Sequence, residues 1–182
     1  MEKTKRLTLS AVLSALAVAV LYLGSLIEVL DLTAVFIASL CVAFAVVELG
    51  SPWQWLTYLT SAVLAMLLVP NKFAACEYAL MVGMFPILKL YVERLPRALA
   101  FLAKAVIFNA LYTAVLLLSA LVFHLPIVEE TVMGVTVPLP AVWAILYLLG
   151  NVAFFLYDYL LTRLSLVYTL RWQARVRKWL KH

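Results

Sequence analysis

Charge is scarce in this sequence: 9 acidic and 14 basic side chains among 182 residues, or 13%, where soluble domains carry about 25%. Apolar residues make up 67%, more than a chain this short can hide in one core. Much of its surface is therefore built for lipid. Disorder is excluded by the same imbalance, because disordered chains are poor in large apolar residues. The two cysteines, Cys41 and Cys76, fall inside apolar stretches and suggest neither a disulfide framework nor a thiolate metal site. His124 has no companion histidine within the spans, so no metal centre is expected. Catalytic signatures are missing too. There is no G-x-x-x-x-G-K-[ST] loop for phosphate, no H-E-x-x-H and no G-x-S-x-G, so the expectation is a protein that is not an enzyme and carries no cofactor. No span holds an arginine ladder, which removes voltage sensing.

What is present is a series of uncharged blocks long enough to span a bilayer, about 20 residues each. They predict an all-α integral membrane protein with six transmembrane helices, near residues 7–27, 32–48, 52–70, 73–92, 98–123 and 140–162. Ser51-Pro52 marks a turn and helix start, and Pro70-Asn71 ends the third block. Glu77 and Lys89 lie near opposite ends of the fourth, roughly 18 Å apart along a helix, so both can reach an interface. Glu129, Glu130, Gly134, Pro138 and Pro140 mark the linker before the sixth. The amino-terminal apolar run is too long for a signal-peptide core and lacks a clear small-residue cleavage site, so it reads as the first helix.

Basic residues set the expected orientation. Lys3, Lys5 and Arg6 precede the first span, Arg94 and Arg97 join the fourth to the fifth, and Arg163, Arg171, Arg175, Arg177, Lys178 and Lys181 follow the sixth. The opposite connections offer Lys72 against Glu28, Asp31, Glu129 and Glu130. Both termini are thus expected in the cytoplasm, with the chain multi-pass in the cell (inner) membrane. The net charge of +5 is a topology signal, and nucleic acid is not an expected partner. Residues 163–182 read as a basic amphipathic tail on anionic lipid, in which Leu166, Leu170, Trp172, Val176, Trp179 and Leu180 form the apolar side. The same tail suits a cytoplasmic docking partner. The remaining 1–162 form one transmembrane domain.

Polar groups inside the spans are where function or helix pairing must be sought. Asn109 and Asn151 both fall about 16 Å from the cytoplasmic ends of their helices and can meet near the midplane. Lys104 and Asp158, about 9 Å and 6 Å from the same side, can form an intramembrane charge pair below them. Interhelical hydrogen bonding is one reading of these four and ligand contact another. Glu77 fits either an outward-facing hollow or a solvated helix end. Glu48 reads as a boundary residue. Aromatics such as Trp53, Trp55, Tyr58, Trp143 and Tyr147 fit an interfacial belt, and Trp143 and Tyr147 also fit a wall for a ring-shaped ligand.

The first span carries one specific pattern: Ala11, Ala15 and Ala19 recur every four residues, with Ser10 and Ser14 beside them. Small residues so spaced let another helix come close. With the basic amino terminus, TKRLTLSAVLSALAVAV, six spans and this length, the chain resembles the S component, the substrate-binding membrane subunit of energy-coupling factor transporters. The resemblance implies that Ala11, Ala15 and Ala19 face a transmembrane scaffold subunit, coupled to two cytoplasmic ATPases. It also implies capture of a vitamin or other small micronutrient near the outer side, with Glu77, Asn109, Trp143, Tyr147 and Asn151 as candidate contacts. The connection between helices one and two, holding Glu28 and Asp31, would close over it. The alternative is a non-transporting membrane scaffold of the cell envelope, a role other six-helix proteins of this size fill.

Overall fold

Charged residues mark a membrane surface without ending a helix, and α1 accordingly includes Lys3, Lys5 and Arg6 ahead of the apolar run that begins at Leu7, and runs Lys3–Gly24. It belongs to a computed structural model that describes residues 3–27, 30–121, 131–132, 135–136 and 139–176. Glu28, His124, Glu129, Glu130, Gly134, Pro138, Arg177, Lys178, Trp179, Leu180 and Lys181 lie outside the described residues. The other helices are α2 (Asp31–Glu48), α3 (Trp53–Leu68), α4 (Lys72–Glu77), α5 (Phe85–Val92), α6 (Arg97–Leu121) and α7 (Leu139–Val167). Thr131–Val132 (β1) and Val135–Thr136 (β2) pair as a minimal antiparallel ladder before α7. Among the described residues, five stretches are long and apolar enough to cross a membrane: Lys3–Gly24, Asp31–Glu48, Lys72–Val92, Arg97–Leu118 and Ala141–Val176. The third expected span, 52–70, is the exception: its helix, α3, has 16 residues and is shorter than these five.

The expected fourth span, 73–92, is not one regular helix. A π-helical turn, Tyr78–Val82, and Gly83 separate α4 from α5. Pro86 has no N–H to give the Val82 carbonyl, so a regular helix cannot pass this point intact. The wide turn closes through Gly83 N–H donating to the Tyr78 carbonyl at 2.8 Å. A Cβ on Gly83 would lie 2.6 Å from that oxygen, so the turn requires glycine. Beyond Thr162 the sixth helix also departs from expectation. It continues to Val167, then through a second π-helical turn, Tyr168–Trp172, and on to Val176.

Small residues hold the amino-terminal helices together. Ala17, Ala38, Ala45, Ala65 and Ala75 are fully buried, and α1 packs along both α2 and α3. At its end a Cβ on Gly24 would fall 2.1 Å from the Ala34 Cβ, so backbones approach there as closely as glycine permits. Ser10 and Ser14 face this interior. The Ser10 hydroxyl pairs with the Thr57 hydroxyl at 2.8 Å, and Ser14 donates to the Thr57 carbonyl at 3.0 Å. α7 is the outlier, with long exposed apolar faces that include Leu148, Leu149, Val152, Leu156 and Leu160.

Candidate functional site

Between α2 and α7 lies a cleft of about 470 Å³. Leu32 and Phe36 of α2 form one wall, Leu149, Val152, Ala153 and Leu156 of α7 the other, and Met81, Val82, Phe108 and Tyr112 the floor. The volume falls in the range of small-molecule sites, about 300–1,000 Å³. Its lining is apolar and aromatic, with Phe108 stacked on Phe154 at 4.4 Å between ring centres and on Tyr112 at 5.5 Å. One charged group faces it: Glu77, 7% exposed. Among the described residues the Glu77 carboxylate has no hydrogen-bond or ion-pair partner.

The chain around Glu77 is arranged by Asn71. This residue caps α4, its Oδ1 accepting from Phe73 N–H at 3.0 Å and Ala74 N–H at 3.3 Å. Its Nδ2 donates to the Asp31 carboxylate, tying the start of α4 to the start of α2. The other Asp31 oxygen is buried without a partner among the described residues. Asp31 lies within electrostatic reach of Glu77, and Glu77 within reach of Tyr112. The nearby cation is engaged elsewhere. Lys72 Nζ donates to the Met66 and Val69 carbonyls at 3.0 Å each, capping the end of α3.

The midplane asparagines do meet. Each amide Nδ2 donates to the other's Oδ1 at 3.0 Å, and each also donates to the backbone carbonyl four residues earlier, Ala105 or Tyr147, at 2.8 Å. Their polar atoms are thus used within the helix pair, and neither residue lines the cleft. The Tyr147 hydroxyl pairs with Thr113 at 2.6 Å, and its ring meets Tyr112 edge-on at 5.4 Å. Trp143 is half-buried against the core and also stands off the cleft. Of the five expected contacts, only Glu77 borders this cavity.

Lys104 and Asp158 form the expected charge pair at 2.8 Å. The reading of Lys89 as an interfacial residue is corrected: it is 7% exposed and pairs with the other oxygen of Asp158. Lys89 also donates to the Asp158 carbonyl at 2.9 Å and to the Thr162 hydroxyl at 2.6 Å. Glu93 lies 3.4 Å from both lysines. Two buried lysines therefore share one carboxylate, with a second at the edge. The break at the π-helical turn sets the direction of α5 and brings Lys89 to α7, something spacing along a straight helix does not reveal. Glu48 accepts from the Tyr168 hydroxyl at 3.0 Å, joining α2 to the turn beyond α7.

Ala11, Ala15 and Ala19 all lie on the outer face of α1, exposed, opposite the buried Ser10, Ser14, Ala17 and Leu21. Beside them runs a shallow groove lined by Ala15, Val18, Ala19, Tyr22, Leu23, Leu64 and Leu68. Sequence reasoning missed Asp31, Phe36, Phe108 and Tyr112 as neighbours of Glu77. Asp31 and Asn71 were both visible as polar residues at helix starts on the same expected side, and that is the signal that links them. No group of three metal-ligating side chains occurs among the described residues. Comparison with known protein families, with curated proteins and with solved structures finds no match for this chain.

Proposed function

We propose that this chain is the solute-binding subunit of a multi-component micronutrient importer of the energy-coupling factor type, working in the cell membrane with both termini in the cytoplasm. The observation that carries this reading is the cleft of about 470 Å³ with a buried, unpartnered Glu77 on its wall. A buried carboxyl group without a hydrogen-bond partner is costly in either protonation state, and a protein that serves only as a scaffold gains nothing from it. In a binding subunit the cost is offset whenever solute is bound.

The exposed row of Ala11, Ala15 and Ala19 supplies the second requirement, a smooth surface against which a transmembrane scaffold subunit can pack. With no phosphate-binding loop in the sequence, energy comes from two partner ATPases. The tail beyond Thr162, with Arg163, Arg171 and Arg175, sits in this scheme at the anionic inner surface.

The test is assembly. Tagged protein, gently extracted from its native membrane, is expected to bring down a scaffold subunit and two ATPases, as identified by mass spectrometry. Ala15→Trp is expected to abolish that recovery while leaving the purified chain folded. Unchanged assembly by Ala15→Trp removes the alanine row from the interface, and recovery of cell-envelope proteins without ATPases replaces the importer with a scaffold.

A further inference from the structure

Two carboxyl groups, Glu77 on the cleft wall and the nearby Asp31, lie at this end of the fold together with the cation Lys72. Lys72 does not neutralise either acid by contact, because its ammonium is held by the Met66 and Val69 carbonyls. Asp31 is half satisfied by Asn71, with its second oxygen buried and bare. Glu77 faces the cavity with both oxygens unclaimed by any described residue. The rest of the lining is largely phenylalanine, tyrosine, leucine, methionine and valine. Such a lining receives a hydrocarbon or ring-shaped body and leaves Glu77 as the polar group that orients it.

Resting on the solute-binding reading above and narrowing its substrate, we infer that the cleft binds an organic monocation: an ammonium group that pairs with Glu77, attached to an aromatic or aliphatic body that lies along the apolar lining beside Phe36 and Met81. An anionic solute meets the Glu77 carboxylate and finds no cation among the residues that line the cleft. A neutral solute leaves the carboxylate without its counter-charge. The ammonium has two sources with the same chemistry, a free amine from outside or the ethanolamine headgroup of a lipid entering beside α7.

The experiment uses the purified full chain in nanodiscs of phosphatidylglycerol, which carries no amine. Binding of 2-phenylethylamine, 2-phenylethanol and phenylacetate is measured by titration calorimetry at up to millimolar concentration. The amine is expected to bind at least about tenfold more tightly than the alcohol, the increment of a charge-assisted hydrogen bond, and the acid not to bind. Glu77→Gln is expected to erase the preference of amine over alcohol, and Asp31→Asn, outside the lining itself, to reduce it. Equal affinity for amine and alcohol in the unaltered chain overturns the inference, as does preference for the acid or no binding of any probe. Because the probe series, read as the difference from the same probes titrated into empty phosphatidylglycerol nanodiscs, needs no variant, a failure of Glu77→Gln to fold leaves the comparison of the three probes intact.

Adding phosphatidylethanolamine to the nanodiscs separates the sources. Loss of amine binding assigns the site to the lipid headgroup, and unchanged binding assigns it to a free solute. The inference and the importer reading fail separately. Amine binding without recovered ATPases keeps the cation site and removes the importer, whereas recovered ATPases with acid preferred keep the importer and remove the cation.

Discussion

Replacing Asp158 by asparagine keeps the size of the side chain and removes the nearer and less exposed of the two carboxylates that Lys89 and Lys104 share. The Asp158 side chain is 15% exposed, and those of Lys89 and Lys104 are 9% and 10% exposed, so water cannot take over its role. What remains for both ammonium groups is Glu93 at 3.4 Å, and Glu93 is 46% exposed, a partner weakened by solvent. Removing one member of a buried pair costs about 3–5 kcal/mol, because an uncompensated charge stays behind. Asp158→Asn is expected to fall in that range, read by reversible unfolding in bicelles. Lys104→Met is expected to cost less, since Asp158 keeps Lys89 and an apolar chain packs where the ammonium was. The two changes together are expected to be more stable than Asp158→Asn alone, by about 1–3 kcal/mol, because one stranded cation has been removed. Additive losses, or a loss below about 1 kcal/mol for Asp158→Asn, would refute the picture of a buried, shared carboxylate.

Gly83→Ala is expected to destabilise the fold by about 1–3 kcal/mol, since its Cβ would press on the Tyr78 carbonyl at 2.6 Å; stability equal to the parent's would show that the π-helical turn yields freely. Alanine at Asn109 and at Asn151 is expected to show a coupling of about 0.6–1.7 kcal/mol in a double-mutant cycle, with amine binding unchanged because neither lines the cleft. Zero coupling would deny the reciprocal amide pair, and weakened amine binding would return both residues to the ligand.

The sequence carried the helical class, the apolar spans and the meeting of Asn109 with Asn151, because each rests on length or depth along a single helix. The Lys104–Asp158 pair was readable for the same reason. Lys89 was not. Its place depends on the break at Tyr78–Gly83, which Gly83 and Pro86 announce but whose geometry no periodicity supplies. The direction of the alanine row was also hidden, since serines and alanines of similar size stand side by side on α1. Only packing shows that Ser10 and Ser14 turn inward to Thr57 while Ala11, Ala15 and Ala19 turn outward. The cleft required several helices and the wide turn to be assembled, and local pattern says nothing about a volume they enclose together.

The shortness of α3 has a consequence for the lipid around it. Sixteen residues rise about 24 Å, less than a hydrocarbon core about 30 Å thick. Where α3 faces the bilayer, acyl chains must compress to match it or leave its ends in the oily layer. Leu59, Val63, Leu67 and Leu68 are exposed along it, an apolar surface suited to acyl chains. At the Val69 end, Lys72 already turns back to hold the last carbonyls. A bilayer fitted to α3 would thin at that end, next to the Asn71–Asp31 hydrogen bond.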